Sequence, residues 1–556
     1  MRRFFLVCWL FTIAIMLTQT EARAYQDSTA PTPTIAEIEE IAADAYGGEE
    51  PGASVLVMQG DTVLIANGFG IADLEWGSPI TEDTSFRIGS ISKPFTAVAM
   101  LQMVDAGLID LDQPISAYLP DLPENLGRPT IRQLLSHTSG LPDHFSLPVI
   151  PSIMRNPITP DGIIALMTDA QLNFEPGTRW AYSNFNYVLL GKLIEALDEQ
   201  GRDFGTYVEE EIFLPLAMEN SHYDRQSAVV PSRARGYDHD GSRAANTITV
   251  ETSLAYAAGA LMSSANDMAL FTNALRDGTL MSEEMQEIAW TAIMLPDGQS
   301  TGYGLGFNVS EFLGETAIWH NGSINGFQAA WIYLPASDRT VAVLSNGYYR
   351  PNTTVMARRI LAVLADQPVP LFTPVESDDT MLSGFVGRYQ LDDNRILQIH
   401  VQNGARFNID GGNWNELTFS GDNLFYISDS LTHLRFRPDA ADDSTALTYV
   451  SSTLIQHQGR QIPGDIEGAA IAIPLDPEES DALTGNWLMS SGDAFSVTRE
   501  GEGLRFQMPN QPPETLYRKG LRQYFVRTAP VELTLSDNGQ ELELNLYGNT
   551  LLLAKE

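Results

Sequence analysis

Lysine and cysteine are both nearly missing from this 556-residue chain: it has four lysines, at 93, 192, 519 and 555, and one cysteine, Cys8. Cys8 lies in the N-terminal apolar run, so the rest of the chain can form no disulfide, no thiolate metal site and no cysteine nucleophile. Basic charge is scarce too. Lys and Arg total 33 against 71 Asp and Glu, for a formal charge of −38. That balance argues against nucleic acid or an anionic membrane as partner, because both require a basic footprint. The eight histidines include no His-x-x-x-His pair and no His/acid cluster at ligand spacing. There is no glycine-rich phosphate loop and no dinucleotide fingerprint. The reading is of a protein without metal or cofactor.

The one long apolar run is "FFLVCWLFTIAIML" (4–17). It follows Arg2 and Arg3 and precedes the small-x-small triplet "ARA" (22–24), the pattern of an export signal cleaved before Tyr25. The run is short for a membrane span, which needs about 20 residues. "RRFFL" also resembles a twin-arginine core, but its basic region is short and its apolar core greasy, so ordinary secretion is the expectation. The mature protein is then periplasmic or secreted, with no stable span.

The remaining chain is long enough for two to four domains. "TIAEIEEIAADAYGG" (34–48) has helical spacing and stops at glycines. "ASVLVMQGDTVLIANGFG" (53–70) reads as a β-hairpin. Helical segments and Pro/Gly-rich loops follow from about 90 to 275. Strands return at "YGLGFNVS" (303–310), then at a second hairpin, "FQAAWIYLP" and "TVAVLSNG". "TVMARRILAVLADQ" (354–367) closes this part as an amphipathic helix. Strands and helices from both ends bracket a helical middle, an α+β pattern with an antiparallel sheet. Past "QPVPLFTPVESDDT" (367–380) the helical periodicity stops. Two units of short strands follow, each opening on Leu-Ser/Thr-Gly and then an aromatic residue. They read as a weak internal duplication, each the size of a small antiparallel barrel or sandwich. The expected boundaries are 1–24 signal, 25–372 first domain, 373–381 linker, 382–472 first β-unit, 473–482 linker and 483–556 second β-unit.

One of the four lysines stands in "TSFRIGSISKPFTAVAM" (84–100), three residues after Ser90 and one before Pro94. The apolar spacing predicts a helix from about Ser90 to a cap at Gly107, with Pro94 tolerated in the first turn. Positions i and i+3 share a helix face, so the Ser90 hydroxyl and the Lys93 amine can meet. A neutral lysine can take the serine proton. Its pKa must fall by roughly 3 units to serve near pH 7, and burial and the positive end of the helix dipole both push it down. Ser-x-x-Lys alone is a weak signal, and a surface lysine is the bland alternative.

Two further stretches add weight. "FEPGTRWAYSNFNYVLLGKLIE" (174–195) puts Tyr182, a proton relay, and Asn184, an orienting amide, just ahead of an apolar helix. Taken alone, Asn184 reads as a helix N-cap. "IWHNGSINGFQAAWIYLP" (318–335) places His320 and two glycines before a strand, where a backbone N–H can serve an oxyanion. Taken alone, His320 reads as a satisfied structural histidine.

In this order the three stretches resemble the serine β-lactamase and penicillin-binding-protein superfamily, in the branch of class C β-lactamases, D-aminopeptidases, D-Ala-D-Ala carboxypeptidases and related esterases. The resemblance spans about 35 to 365 and is carried by Ser90-Ile91-Ser92-Lys93, Tyr182-Ser183-Asn184 and His320-Asn321-Gly322. "IRQLLSHTSGLPD" (131–143) and "AAGALMSSANDMALF" (257–271) support it. It implies a β-lactamase/DD-peptidase-like domain, an antiparallel sheet with a helical subdomain, ahead of two barrel-like units. It implies Ser90 as acylated nucleophile and Lys93 and Tyr182 sharing proton transfer. Asn184, His320, Asn321, Gly322 and Ser323 would bind substrate, with the N–H groups of Ser90 and Ser323 as oxyanion hole. The adjacent Ser136-His137 pair reads as a signature of the fold, not as chemistry. His320 replaces the lysine of class C enzymes, and a histidine mostly neutral at pH 7 lowers the expectation of β-lactam hydrolysis. The resemblance implies an exported serine hydrolase acting through an acyl-enzyme on small amides, esters or D-amino-acid peptides. The alternatives are a β-lactamase or D-Ala-D-Ala carboxypeptidase, and a non-turnover sensor or cell-wall-binding protein.

Overall fold

The computed structural model describes residues 33–367 apart from Thr249; beyond these it describes most of 369–555, leaving out 463–474 and shorter stretches. The expected signal at 1–24 lies outside the described residues. The hairpin β1 (Ala53–Gln59) and β2 (Thr62–Phe69) follows helix α1 (Pro33–Tyr46). Next come the buried helix α2 (Ser92–Asp105), α3 (Asn184–Leu197) and α4 (Ala265–Arg276). Strands β3 (Asn308–Phe312), β4 (Glu315–Ile324), β5 (Phe327–Leu334) and β6 (Arg339–Ser345) precede α5 (Thr353–Leu364).

The sheet order is β3-β4-β5-β6-β1-β2, antiparallel throughout. Its strands alternate faces with period two. Val55, Val57, Val341 and Val343 meet Ile38, Ala42, Ile360 and Leu361 of α1 and α5 on one side. Leu56, Met58, Ala342 and Leu344 join α2, α4 and the helical subdomain on the other. The middle segment is mostly helical, as expected, and adds two-to-three-residue strands at Phe86–Arg87, His222–Tyr223 and Leu261–Ser263 that pair with one another. Such short strands carry no readable periodicity.

Beyond the sheet domain lie two closed eight-stranded antiparallel barrels, each strand pairing with its sequence neighbours. Gly387–Leu391 pairs back onto Gln456–Ile462 to close the first, and Trp487–Leu488 onto Ala554–Lys555 to close the second. The Leu-Ser/Thr-Gly repeat now has a physical meaning. In each unit the leucine (Leu382, Leu483) ends a short helix, α6 (Asp379–Leu382) or α7 (Pro477–Leu483), and is buried in the barrel core. The third residue of each unit's first strand is an aromatic that donates to a carbonyl four residues back: Tyr389 Oη to Phe385 O at 2.8 Å, and Trp487 Nε1 to Leu483 O at 2.9 Å. The stretch 473–482, expected as a linker, is therefore helical from Pro477, because Leu483 must be delivered into the barrel. The 373–381 bridge is also pinned: the Val375 N–H bonds Phe419 O at 2.9 Å, beside the stacked rings of Phe372 and Tyr426.

Candidate active site

Residues 89–91 form a 3-10 turn that runs straight into α2. Ser92 locks it: its Oγ donates to Gly89 O at 2.7 Å and accepts from the Leu261 N–H at 3.1 Å. Ser90 therefore stands at the mouth of a helix, where backbone N–H groups have no intrahelical partner. One turn on, Lys93 is completely buried. Its Nζ lies 3.1 Å from Ser90 Oγ, 2.8 Å from Asn184 Oδ1 and 2.8 Å from Ala258 O. Burial pulls its pKa from 10.5 down to about 7, with the Asp143 carboxylate pulling the other way. The geometry suits the neutral amine. Its two hydrogens satisfy two carbonyl-type oxygens, and its lone pair faces the serine hydroxyl.

Tyr182 sits over the same amine, ring centroid 4.8 Å from Nζ. Burial raises its pKa, so it stays a phenol and offers a proton. Asn184 is not the N-cap of α3; Ser183 is. The Asn184 amide is instead clamped by Asp143, which accepts from both its Nδ2 (2.7 Å) and its backbone N–H (3.1 Å). That clamp fixes which end of the amide meets Lys93. Sequence reasoning missed Asp143 and the Ala258 carbonyl as parts of the site. Their signal was present, since they end "LSHTSGLPD" and begin "AGALMSS".

His320, Asn321 and Gly322 were expected to precede a strand; they lie inside β4. His320 was also expected to bind substrate, and the structure places it elsewhere. Its side chain is buried, with Nδ1 2.6 Å from Asn321 O and Nε2 3.0 Å from Tyr303 Oη. The carbonyl requires the proton on Nδ1, so Nε2 accepts from the tyrosine. Burial, helped by the Lys93 charge, pulls its pKa to about 3, and the ring is neutral. Exposed Asn321 does not line the Ser90 pocket. Gly322 acts through the side chain it lacks, since a Cβ there would stand 1.9 Å from Ile88 O and 3.0 Å from Ser90 N. Gly89, at φ +51°, answers it, since a Cβ there would meet Ser323 N at 2.8 Å. These two glycines let β4 press against the serine turn. Strand β3 pairs with β4 only as far as Trp319, so the edge at 320–324 is open. Ser323 lies one step from the Ile324–Phe327 pair that closes a two-residue turn. Strand alternation aims its N–H away from β5, at the open edge beside Ser90.

The Ser136–His137 pair does no joint chemistry. Ser136 Oγ bonds Arg132 O and Thr138 Oγ1, while His137 Nδ1 accepts from the Ser183 N–H at 3.2 Å. The His137 ring lies against Tyr182, centroids 4.2 Å apart, and so steadies the phenol. Ser90 opens onto a cavity of about 260 Å³ lined by Asn184, Phe145, Val250, Ala255, Ser323 and Ile324 among others. No charged side chain and no barrel residue is among the described residues lining it.

A family model described as Beta-lactamase matches residues 38–365. A penicillin-binding protein of Bacillus subtilis (strain 168) is 27% identical over 377 residues, which cover 63% of this chain and 82% of that protein. A D-aminopeptidase of Gluconobacter oxydans (strain 621H) is 26% identical over 321 residues, covering 57% of this chain and 59% of that one. Among solved structures, the octameric penicillin-binding protein homologue from Pyrococcus abyssi superposes with a TM-score of 0.52 at 22% identity. It covers 94% of this chain and 99% of its own, so the shared fold includes the barrels.

Proposed function

Because this chain belongs to the Beta-lactamase family, we propose that it is a serine hydrolase that acylates Ser90 with small amides or esters uncharged at the scissile end, D-amino-acid derivatives among them. One observation carries the reading: a buried amine near pKa 7 has two carbonyl-type oxygens on its hydrogens and the Ser90 hydroxyl on its third side. Lys93 takes the Ser90 proton as Oγ attacks the substrate carbonyl. The N–H groups of Ser90 and Ser323 receive the developing oxyanion, a contact worth about 3 kcal/mol per donor. Tyr182 passes a proton to the leaving group as the tetrahedral intermediate collapses, and the Lys93 ammonium returns its proton to the Tyr182 oxygen, which leaves the amine neutral again. Water then repeats the steps on the acyl-enzyme, with Lys93 again as base.

The lining sets the substrate class. A β-lactam carboxylate calls for a cation, and none is among the described residues lining the Ser90 pocket, with His320 neutral and buried. A free amino terminus calls for a carboxylate, and none is among the described residues lining the pocket. Capped D-amino-acid amides and short-chain esters fit better than either. Residues 1–24 have the pattern of an export signal, and we place the enzyme in the periplasm or outside the cell. The test is a panel on wild type and Ser90→Ala: an acetylated and a free D-alanyl anilide, a nitrophenyl butyrate and a chromogenic cephalosporin. The capped anilide or the ester should turn over fastest, with a transient acyl mass on wild type alone. Fast turnover of only the cephalosporin overturns the substrate class. A stable adduct without product would mark a sensor instead.

A further inference from the structure

Three of the 33 basic side chains converge on one cavity outside the Ser90 pocket. It encloses about 200 Å³ and is lined by Arg87, Arg233, Arg235, Asn246, Thr247 and Phe327, with no carboxylate in the lining. It flanks the turn at Asn325–Gly326, whose opposite flank, Ser323–Asn325, borders the Ser90 pocket. Arg87 itself lies three residues before Ser90.

The guanidinium groups are held from behind. Asp224, buried at 1% side-chain exposure, pairs with Arg87 Nε at 2.7 Å and with Arg233 Nη1 at 3.2 Å. Glu75 holds Arg235 at the rim and accepts from Asn246 Nδ2 at 3.0 Å. Thr247 is committed to Asp238. Those bonds orient the forks without saturating them. Arg87 spends only Nε on Asp224, and its terminal nitrogens have no hydrogen-bond partner among the described residues. Its guanidinium carbon lies 5.9 Å from the centre of the Phe327 ring, which fixes the plane of the fork. Arg233 Nε is buried without a partner. The carboxylates of Asp224, Glu75 and Asp238 all stand behind the lining, so the face turned to the cavity is guanidinium in a protein of charge −38. A planar fork with free N–H groups matches a carboxylate in geometry and in sign of charge.

We propose that this cavity binds the carboxylate of a small organic acid, as a second subsite beside the catalytic pocket. The carboxylate belongs either to the distal end of a substrate whose uncharged scissile end reaches Ser90, an assignment that rests on the proposed hydrolase activity, or to a separate acid. Titration calorimetry of the full chain with succinate tests the site itself. Succinate should bind, and Arg235→Gln and Arg87→Lys should each weaken it by about tenfold, the loss expected for one charge-assisted hydrogen bond. Ser90→Ala should leave it unchanged. Arg87→Lys keeps a cation beside Asp224, and Arg235 lies at the rim, so melting curves should show both variants folded. No binding, or binding that ignores both substitutions, overturns the proposal.

Kinetics separates the sources. If kcat/KM for a nitrophenyl hemisuccinate falls about tenfold in Arg235→Gln while nitrophenyl butyrate is unaffected, the acid is the substrate's own. If neither ester changes while succinate binding falls, it is a separate ligand. A chain that binds succinate as stated but cleaves neither ester keeps this site and loses the hydrolase reading.

Discussion

Replacing Lys93 with methionine should stabilise the protein at neutral pH and destabilise it in alkali. In the unfolded chain this lysine keeps its proton up to 10.5; in the folded protein it loses it at about 7. Between those values unfolding takes up a proton, so native stability rises with pH across the window. Below pH 7 the full cost of the buried amine is present. At about 1.4 kcal/mol per pH unit that cost is roughly 5 kcal/mol, and still about 4 at pH 7. Methionine removes it, but also removes the bonds to Asn184 Oδ1 and Ala258 O. Those are worth about 1 kcal/mol each. The variant should therefore gain about 2 kcal/mol at pH 7 and lose about 2 kcal/mol above pH 10.5, with the sign changing between. Urea unfolding of both proteins at pH 7 and near pH 10.5, following the catalytic domain, measures it. Hydrolysis should fall by about 10²–10⁴, and wild-type kcat/KM should climb about tenfold per pH unit to a plateau above 7. A variant less stable by the same amount at both pH values, with a flat wild-type profile from pH 5 to 8, refutes the account of a neutral base.

Asp143→Asn removes the charge that holds the Lys93 pKa up, so the acid limb of kcat/KM should move below pH 7 while its plateau drops as Asn184 loses its clamp; a pH–rate profile reads both. Gly322→Ala drives a methyl group into Ile88 O and pushes β4 off the serine turn. That should lower kcat about 10²–10³-fold, the cost of one oxyanion donor, with an unchanged circular dichroism spectrum. His320→Gln removes an acceptor for the Tyr303 hydroxyl without touching the pocket wall, so steady-state assays should show kcat reduced and KM little changed.

Much of this architecture is legible in the sequence because it is local. The Ser90–Lys93 spacing alone puts the two groups on one helix face, and the alternating strands of the β-units read as half-buried sheet. What stayed hidden depends on distant partners. Barrel closure pairs Gly387–Leu391 with strands some seventy residues on, which no periodicity reports, so barrel and sandwich read alike. Asp143 meets Asn184 across 41 residues. The burial of His320 is decided by Tyr303 and by the fold of β4 around the serine turn, so a titratable residue beside two glycines resembles a binding group until its ring nitrogens are accounted for.

The central sheet joins β1 to β6, pairing Ala53 with Ser345. A ribosome or translocation channel releases the chain from its N-terminus, so β1 and β2 must wait as an unpartnered hairpin until nearly three hundred further residues emerge. Each barrel needs fewer than a hundred. Closing so long a loop is slow, and the waiting hairpin has an apolar face on either side. Refolding experiments should find both barrels protected from exchange well before the nucleophile and its lysine are brought together. Activity would then be the last signal to return.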